Sequence, residues 1–256
     1  MRLWVDTDVG TNPDDAVALL CAAAHPDVEL VGVSTVDGDT EERAEIARRF
    51  VEAPVVAGAG LTAHDVTAAS PDALLAIGPL ENVAHLLAAG ALPPRLGAMG
   101  GVLRPLHHRG EVRDIEHNFG VEPAATQAVI EHAPNLLLCP LDVTVRMRPS
   151  AAEIEQLVGA AAALGPMLDD WTATQHAGGV AEEDAGVRLH DPLALLALMG
   201  EPVVAIEPRA LTIDSAGRVH DDRGRGHVVD VVTDVDVVRA MERIIELVAR
   251  STSANR

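Results

Sequence analysis

Short apolar runs alternate with stretches of helical periodicity from the first residues of the chain. Leu3 to Val5 has the length and composition of a strand, and the apolar positions Val17, Leu19, Leu20 and Ala23 then repeat as one face of a helix. Val28 to Val36 is a β-branched run, followed by the loop Asp37-Gly38-Asp39 and a charged amphipathic helix from about Thr40, which completes a βαβ unit. Further apolar runs lie at 54–57, 73–77, 96–99 and 135–139, most of them followed by helical stretches, and residues 150–176 read as mostly helical. The pattern predicts an α/β fold: a single domain over residues 1–256, with a mostly parallel sheet of βα units and helices on both faces. Towards the end the pattern changes. Leu211 to Ile213 and His227 to Val232 read as a small antiparallel C-terminal part before a last helix from about Asp236 to Arg250.

Composition narrows the class of partner. No Ser/Gly/Pro-rich linker divides the 256 residues, and the net charge of −20 repels a phosphate backbone, so nucleic acid and anionic membrane are excluded in favour of small molecules. Cys21 and Cys139 are far apart in apolar segments and read as buried thiols. There is no lysine, which excludes Schiff-base chemistry, pyridoxal phosphate chemistry and a P-loop. The N-terminus enters a strand directly, with no signal-peptide pattern and no apolar stretch of membrane-spanning length, and the expected location is cytoplasmic.

Four carboxylates stand out against this background. Asp6, Asp8, Asp14 and Asp15 crowd the turn between the first strand and the first helix. Strand alternation sets Asp6 and Asp8 on one side, Gly10 permits the turn, Asn12 is suited to cap the helix, and Pro13 to open it. Converging carboxylates raise one another's pKa unless a cation compensates, and hard oxygen ligands suit calcium or magnesium. Other polar clusters fall at the predicted strand ends, where ligands gather in open α/β sheets: Asp37 to Thr40, Gly78 to Asn82, Gly100-Gly101, Glu116 to Asn118, Leu141 to Thr144 and His190-Asp191-Pro192.

In this order the segments resemble the calcium-dependent nucleoside hydrolases that prefer inosine and uridine. The likeness rests on Asp6-Thr7-Asp8-Val9-Gly10 with Asp14-Asp15-Ala16, on Val55 to Ala59, on Gly78-Pro79-Leu80 with Asn82, on Met99-Gly100-Gly101, on Leu141-Asp142-Val143-Thr144 and on His190-Asp191-Pro192, and it spans nearly the whole chain. The resemblance implies calcium held by side chains of Asp8, Asp15 and Asp191 and by the backbone carbonyl of Ile77. It gives Asp14, Asp39, Glu116 and Asn118 to the sugar and places His190 near the base. The implied reaction is hydrolysis of a ribonucleoside's N-glycosidic bond: Asp8 activates a calcium-bound water that attacks the anomeric carbon, and His190 donates to the leaving base. A homodimer or homotetramer is implied as well.

The chain departs from the family pattern at three places. Asp39 replaces a frequent asparagine, Gly110 stands where another sugar-binding asparagine is common, and the segment between Ala59 and Ala73 is short and lacks a His-Gly loop. Two other classes stay open: a non-catalytic homologue that keeps the metal and ribose cradle, and a phosphatase of the haloacid dehalogenase type with Asp6 as nucleophile, a class that ordinarily needs a lysine. Among the remaining histidines, His64 reads as a surface residue and His107 and His108 as solvated residues of an open loop, while His176 lies where base contacts are common.

Overall fold

The computed structural model describes residues 1–108, 111–181, 184–221 and 224–253. The chain opens with β1 (Arg2–Thr7), α1 (Asp14–Ala24), β2 (Glu29–Thr35), α2 (Thr40–Ala47) and β3 (Val55–Ala57). A 3₁₀ turn at Gly58–Gly60 leads into α3 (Ala63–Ala69), β4 (Ala73–Ala76), α4 (Glu81–Ala88) and β5 (Arg95–Met99). A hairpin of β6 (Leu106–His108) and β7 (Glu111–Arg113) precedes α5 (His117–Val121), α6 (Pro123–His132), β8 (Leu136–Cys139) and α7 (Leu141–Thr144). The chain continues through α8 (Ala151–Ala160), α9 (Leu164–Ala177), α10 (His190–Met199), β9 (Val204–Ile213), β10 (Val219–Asp221), β11 (His227–Val235) and α11 (Val237–Ser253).

Nine strands form one sheet in the order β10-β9-β11-β8-β5-β4-β1-β2-β3, parallel from β3 to β11, with β9 and β10 added antiparallel at one edge. Alternation in the strands distributes two cores. Leu3, Val5 and Leu75 face one side, where α1, α10 and α11 contribute Val17, Leu196 and Ile244; Trp4, Leu74 and Ala76 face the other, against Val83 of α4 and Ile130 of α6. The expected α/β architecture, parallel with helices on both faces and a small antiparallel end, is the one found. No helix among the described residues is long and apolar enough to cross a membrane.

Strand order reverses at β1, since β2 and β3 lie on one side of it and β4 on the other. Crevices outside such a switch point are where open α/β sheets bind ligands. The loops after β1, β2, β4 and β5 therefore converge on one place.

Three local expectations differ from the structure. The N-cap of α1 is Pro13, with no side-chain cap, so the helix starts one residue later than the sequence suggests and Asn12 stays in the loop. β9 begins at Val204, well before Leu211, because only backbone pairing with β11 reveals strand through Pro208. His107 lies exposed in β6 rather than in an open loop. The shortened segment after Ala59 has become α3, closed at its start by a Thr62/Asp65 capping box.

Candidate active site

The cavity at the switch point has a volume of about 430 Å³, and Asp8, Asp14, Asp15, Asp37, Glu116 and Asp191 all line it. β1 ends at Thr7, so Asp8 leaves strand geometry and turns into the cavity while Asp6 stays in the sheet. Gly10 follows with φ +136, a conformation that L side chains rarely adopt. Gly78 serves close approach instead. A Cβ there would lie 3.0 Å from the Asp8 nitrogen and 2.7 Å from Val36, so its absence lets the β4–α4 loop close on the β1 end.

Asp14 and Asp15 open α1, and both are buried, at 1% and 3% exposure. Thr7 donates its hydroxyl to Asp15 at 2.5 Å while accepting the Val9 backbone N–H at 3.1 Å. One oxygen of Asp14 accepts the backbone N–H groups of His190 at 3.1 Å and Asp191 at 3.4 Å, so α1 supplies the cap of α10; its other oxygen is buried with no hydrogen-bond partner. Carboxylate oxygens of Asp14, Asp15 and Asp191 lie within 4.8 Å of one another. Burial is the main cause that pushes Asp14 up to about 7 and Asp15 and Asp191 well above the usual range, and the charge of Asp8 adds to it in all three. Asp8 is raised by burial as well, against the opposing charge of Arg43.

A buried acceptor without a donor and three converging carboxylates fit a hard divalent cation, for which oxygen ligands and charge neutralisation are the requirement. The carbonyl of Ile77, the implied backbone ligand, accepts from Asn118 Nδ2 at 3.3 Å and keeps a second lone pair. A second group, Asp8, Asp37 and His117, also brings its ligand-type atoms within 4.8 Å.

Glu116 and Asn118 are held firmly. Glu116 accepts the backbone N–H of Asn118 at 3.0 Å on one oxygen, and those of Gly101 at 3.1 Å and Phe119 at 3.2 Å on the other. A carboxylate offers about four acceptor sites, which leaves one for a substrate hydroxyl. Asn118 spends its amide donors on the Ile77 and Met99 carbonyls, tying the ends of β4 and β5 and leaving its oxygen for ligand. Glu116→Gln is expected to destabilise the fold, since an NH₂ group must then face at least one backbone N–H. An unsatisfied buried donor costs about 1–3 kcal/mol, or roughly 2–10 °C in a chain of this size. A melting temperature unchanged within a degree would contradict this role for the carboxylate.

Of the sequence candidates, the cavity gathers Asp8, Asp14, Asp15, Ile77, Glu116, Asn118, His190 and Asp191. Asp39 is not brought there; it is exposed, accepts the Glu42 N–H at 3.1 Å as the N-cap of α2, and Asp37 lines the cavity in its place. Gly110 lies outside the described residues. His176 is exposed on α9 and does not line the cavity, whereas Trp171 on the same helix does. Sequence reasoning also misses Asn12, Arg43, Arg113 and His117 as lining residues. Trp171 carries a signal, being one of two tryptophans in the chain. Asn12, suited by sequence to be a cap, instead has a buried carboxamide oxygen with no hydrogen-bond partner in the cavity wall.

Clustered acidic side chains line the switch point of a doubly covered parallel sheet, a set that could hold a divalent cation. The model of the family "Inosine-uridine preferring nucleoside hydrolase" matches residues 56–242, and the chain belongs to that family; it is a nucleoside hydrolase, an N-ribosyl hydrolase. Its sequence is 27% identical to an uncharacterised protein of Schizosaccharomyces pombe over 78% of this chain and 80% of the relative. It is 24% identical to the non-specific ribonucleoside hydrolase RihC of Escherichia coli K12, covering 97% and 98% of the two chains. In fold it is similar to a plant nucleoside hydrolase, with a TM-score of 0.80 at 17% identity over 97% and 98% of the chains. The purine-preferring ribonucleoside hydrolase of Gardnerella vaginalis gives 0.79 at 20% identity over 99% and 100%.

Proposed function

We propose that this chain hydrolyses the N-glycosidic bond of ribonucleosides with calcium as cofactor, Asp8 as general base and His190 as the donor to the departing base. The observation that carries the reading is the meeting, in one cavity, of the Asp14/Asp15/Asp191 oxygens with Asp8 and His190. Asp8, Asp15, Asp191 and the Ile77 carbonyl would hold the ion. When bound, calcium seats a vicinal diol and acidifies a water molecule. Asp8 takes the proton of the attacking water. Positive charge growing on the sugar as the bond breaks is met by Asp14 and Glu116, as paired carboxylates do in glycoside hydrolysis. Thr144 fixes the His190 ring through its Nδ1 at 2.8 Å, and Trp171, Leu141, Met99 and Ile115 supply an apolar wall suited to a planar base.

The phosphatase reading loses its nucleophile. Asp6 is fully buried, accepts from Ser34 at 2.5 Å and Asn82 at 2.8 Å, and does not line the cavity, so no phosphoryl group can reach it. A homodimer or homotetramer in the cytoplasm, with neither nucleic acid nor membrane as partner, belongs to the same proposal; the net charge of −20 supports the exclusion of nucleic acid and anionic membrane.

The test is release of free base and ribose from a panel of ribonucleosides, 2′-deoxyribonucleosides and nucleotides, with and without calcium. Binding of a ribonucleoside without product would transfer the reading to a non-catalytic homologue. Within the panel, removal of the 2′-hydroxyl is expected to lower kcat/KM by at least about a hundredfold, because a site built to bond a hydroxyl rejects its absence. The family resemblance implies a sugar-binding asparagine at position 110, where this chain has glycine, so the 5′-deoxy compound is expected to stay within about tenfold, the equivalent of one ordinary hydrogen bond. A steep 5′-deoxy loss would show that other residues of the rim, such as Arg113 or His117, make that contact.

A further inference from the structure

We propose that Arg43 is a positioning residue that locks the two loops carrying Asp8 and Asp37 into the geometry the cation requires; the inference rests on the reading of the acidic cavity as a cation site. Arg43 is presented by α2, whose start is fixed by the Asp39 cap and by the Thr35 hydroxyl bonded to the Thr40 carbonyl at 2.6 Å. From there every nitrogen of the guanidinium is engaged. Nε donates to the Asp37 carbonyl at 2.7 Å, Nη2 to the Asp37 carboxylate at 3.4 Å, and Nη1 to the carbonyls of Asp8 and, at 3.2 Å, Val9. The acceptors come from the β1–α1 loop and the β2–α2 loop, so one planar fork spans both.

Both loops need such a tie. Asp37 has φ +64, and Gly10 and Gly38 have φ +136 and +60. Positive φ at a residue with a side chain persists only where the surroundings determine it. The surroundings here are the guanidinium, which holds Asp37 by its carbonyl and its carboxylate together. Arg43 also bonds Asp8 through the backbone, which leaves the Asp8 carboxylate to the cavity. Its side chain is only 14% exposed, so the charge is placed beside the carboxylates rather than in solvent.

The arginine has two opposite influences on a cation. Its charge repels the ion, while its fork fixes the ligands. A lysine separates them, because it keeps the charge but is a point donor that cannot bridge acceptors from two loops. In Arg43→Lys, calcium affinity by titration calorimetry is expected to fall about 10- to 100-fold, the range seen when residues orienting metal ligands are changed. Activity should recover towards wild type as calcium is raised by the same factor. Arg43→Gln, which loses charge and fork together, is expected to fall between Arg43→Lys and wild type.

Hydrogen exchange on chelator-treated protein gives a readout independent of metal and turnover. Peptides covering 7–15 and 36–40 are expected to exchange faster in both variants, while a peptide covering 136–147 keeps its wild-type rate. Arg43→Lys that binds calcium like wild type, with Arg43→Gln binding more tightly, would overturn the proposal and make Arg43 a counter-charge only. Unchanged exchange in the two loops would overturn it on its own. A wild-type protein that binds no calcium would count against the proposed function, and the exchange rates would still judge Arg43.

Discussion

Asp8→Asn is expected to lower kcat for a ribonucleoside by about 10³-fold, within the 10²- to 10⁴-fold range that a positioned general base supplies. An amide cannot accept the proton of the attacking water, and it is a weaker ligand for a hard cation than a carboxylate. The loss should not come from misfolding. Arg43 grips residue 8 by its backbone carbonyl, and the substitution leaves that group in place. A melting curve and tryptophan fluorescence, with Trp171 in the cavity wall as reporter, separate the two causes. Turnover within tenfold of wild type at saturating calcium would remove Asp8 from the role of base.

Chelator-treated protein is expected to be more stable at pH 5 than at pH 8, with calcium narrowing the difference. Asp14 is raised to about 7, and Asp15 and Asp191 stand well above the ordinary range, whereas in the unfolded chain all three titrate near 3.8. Between these limits the folded state holds protons that the unfolded state has released. Stability from these groups is therefore fully present below about pH 3.9 and is lost as pH rises through about 7 and above. Calcium binds the ionised carboxylates and offsets part of that loss. At a hundredfold excess over Kd it adds about 2.7 kcal/mol, roughly 5–10 °C in a chain of this length. Asp6, also raised to about 7, titrates in both samples and leaves the difference unaltered. Melting temperatures from pH 5 to 8, with EDTA or calcium, are the measurement. A metal-free protein that gains stability towards pH 8 would contradict the packing of these carboxylates.

The architecture was legible because the central strands β1, β4, β5 and β8 are apolar runs buried on both faces over most of their length, a pattern that survives without knowledge of tertiary contacts. The Asp-Thr-Asp turn was legible too, but its sidedness was not. Alternation placed Asp6 beside Asp8, and the chain leaves the strand between them, so Asp6 bonds Ser34 and Asn82 while Asp8 enters the cavity. Asp37 and Asp39 pose the same difficulty within a loop, where no period exists. Which of the two faces the cavity is set by helix capping and a left-handed backbone. Arg43 was invisible for another reason: its acceptors are mostly backbone carbonyls, and these carry no residue code.

The bond from the His190 N–H to Asp14 spans 176 positions of sequence. Three of the four residues expected to hold the ion are made early in synthesis, by residue 77, but Asp191 is not. A nascent chain emerging from the ribosome would hold a half-built, strongly acidic crevice until α10 docks on α1 and brings Asp191 into it. Calcium capture should accordingly mark the last stage of folding. Fragments ending before residue 190 should show only the weak, unselective attraction of any acidic surface for divalent ions.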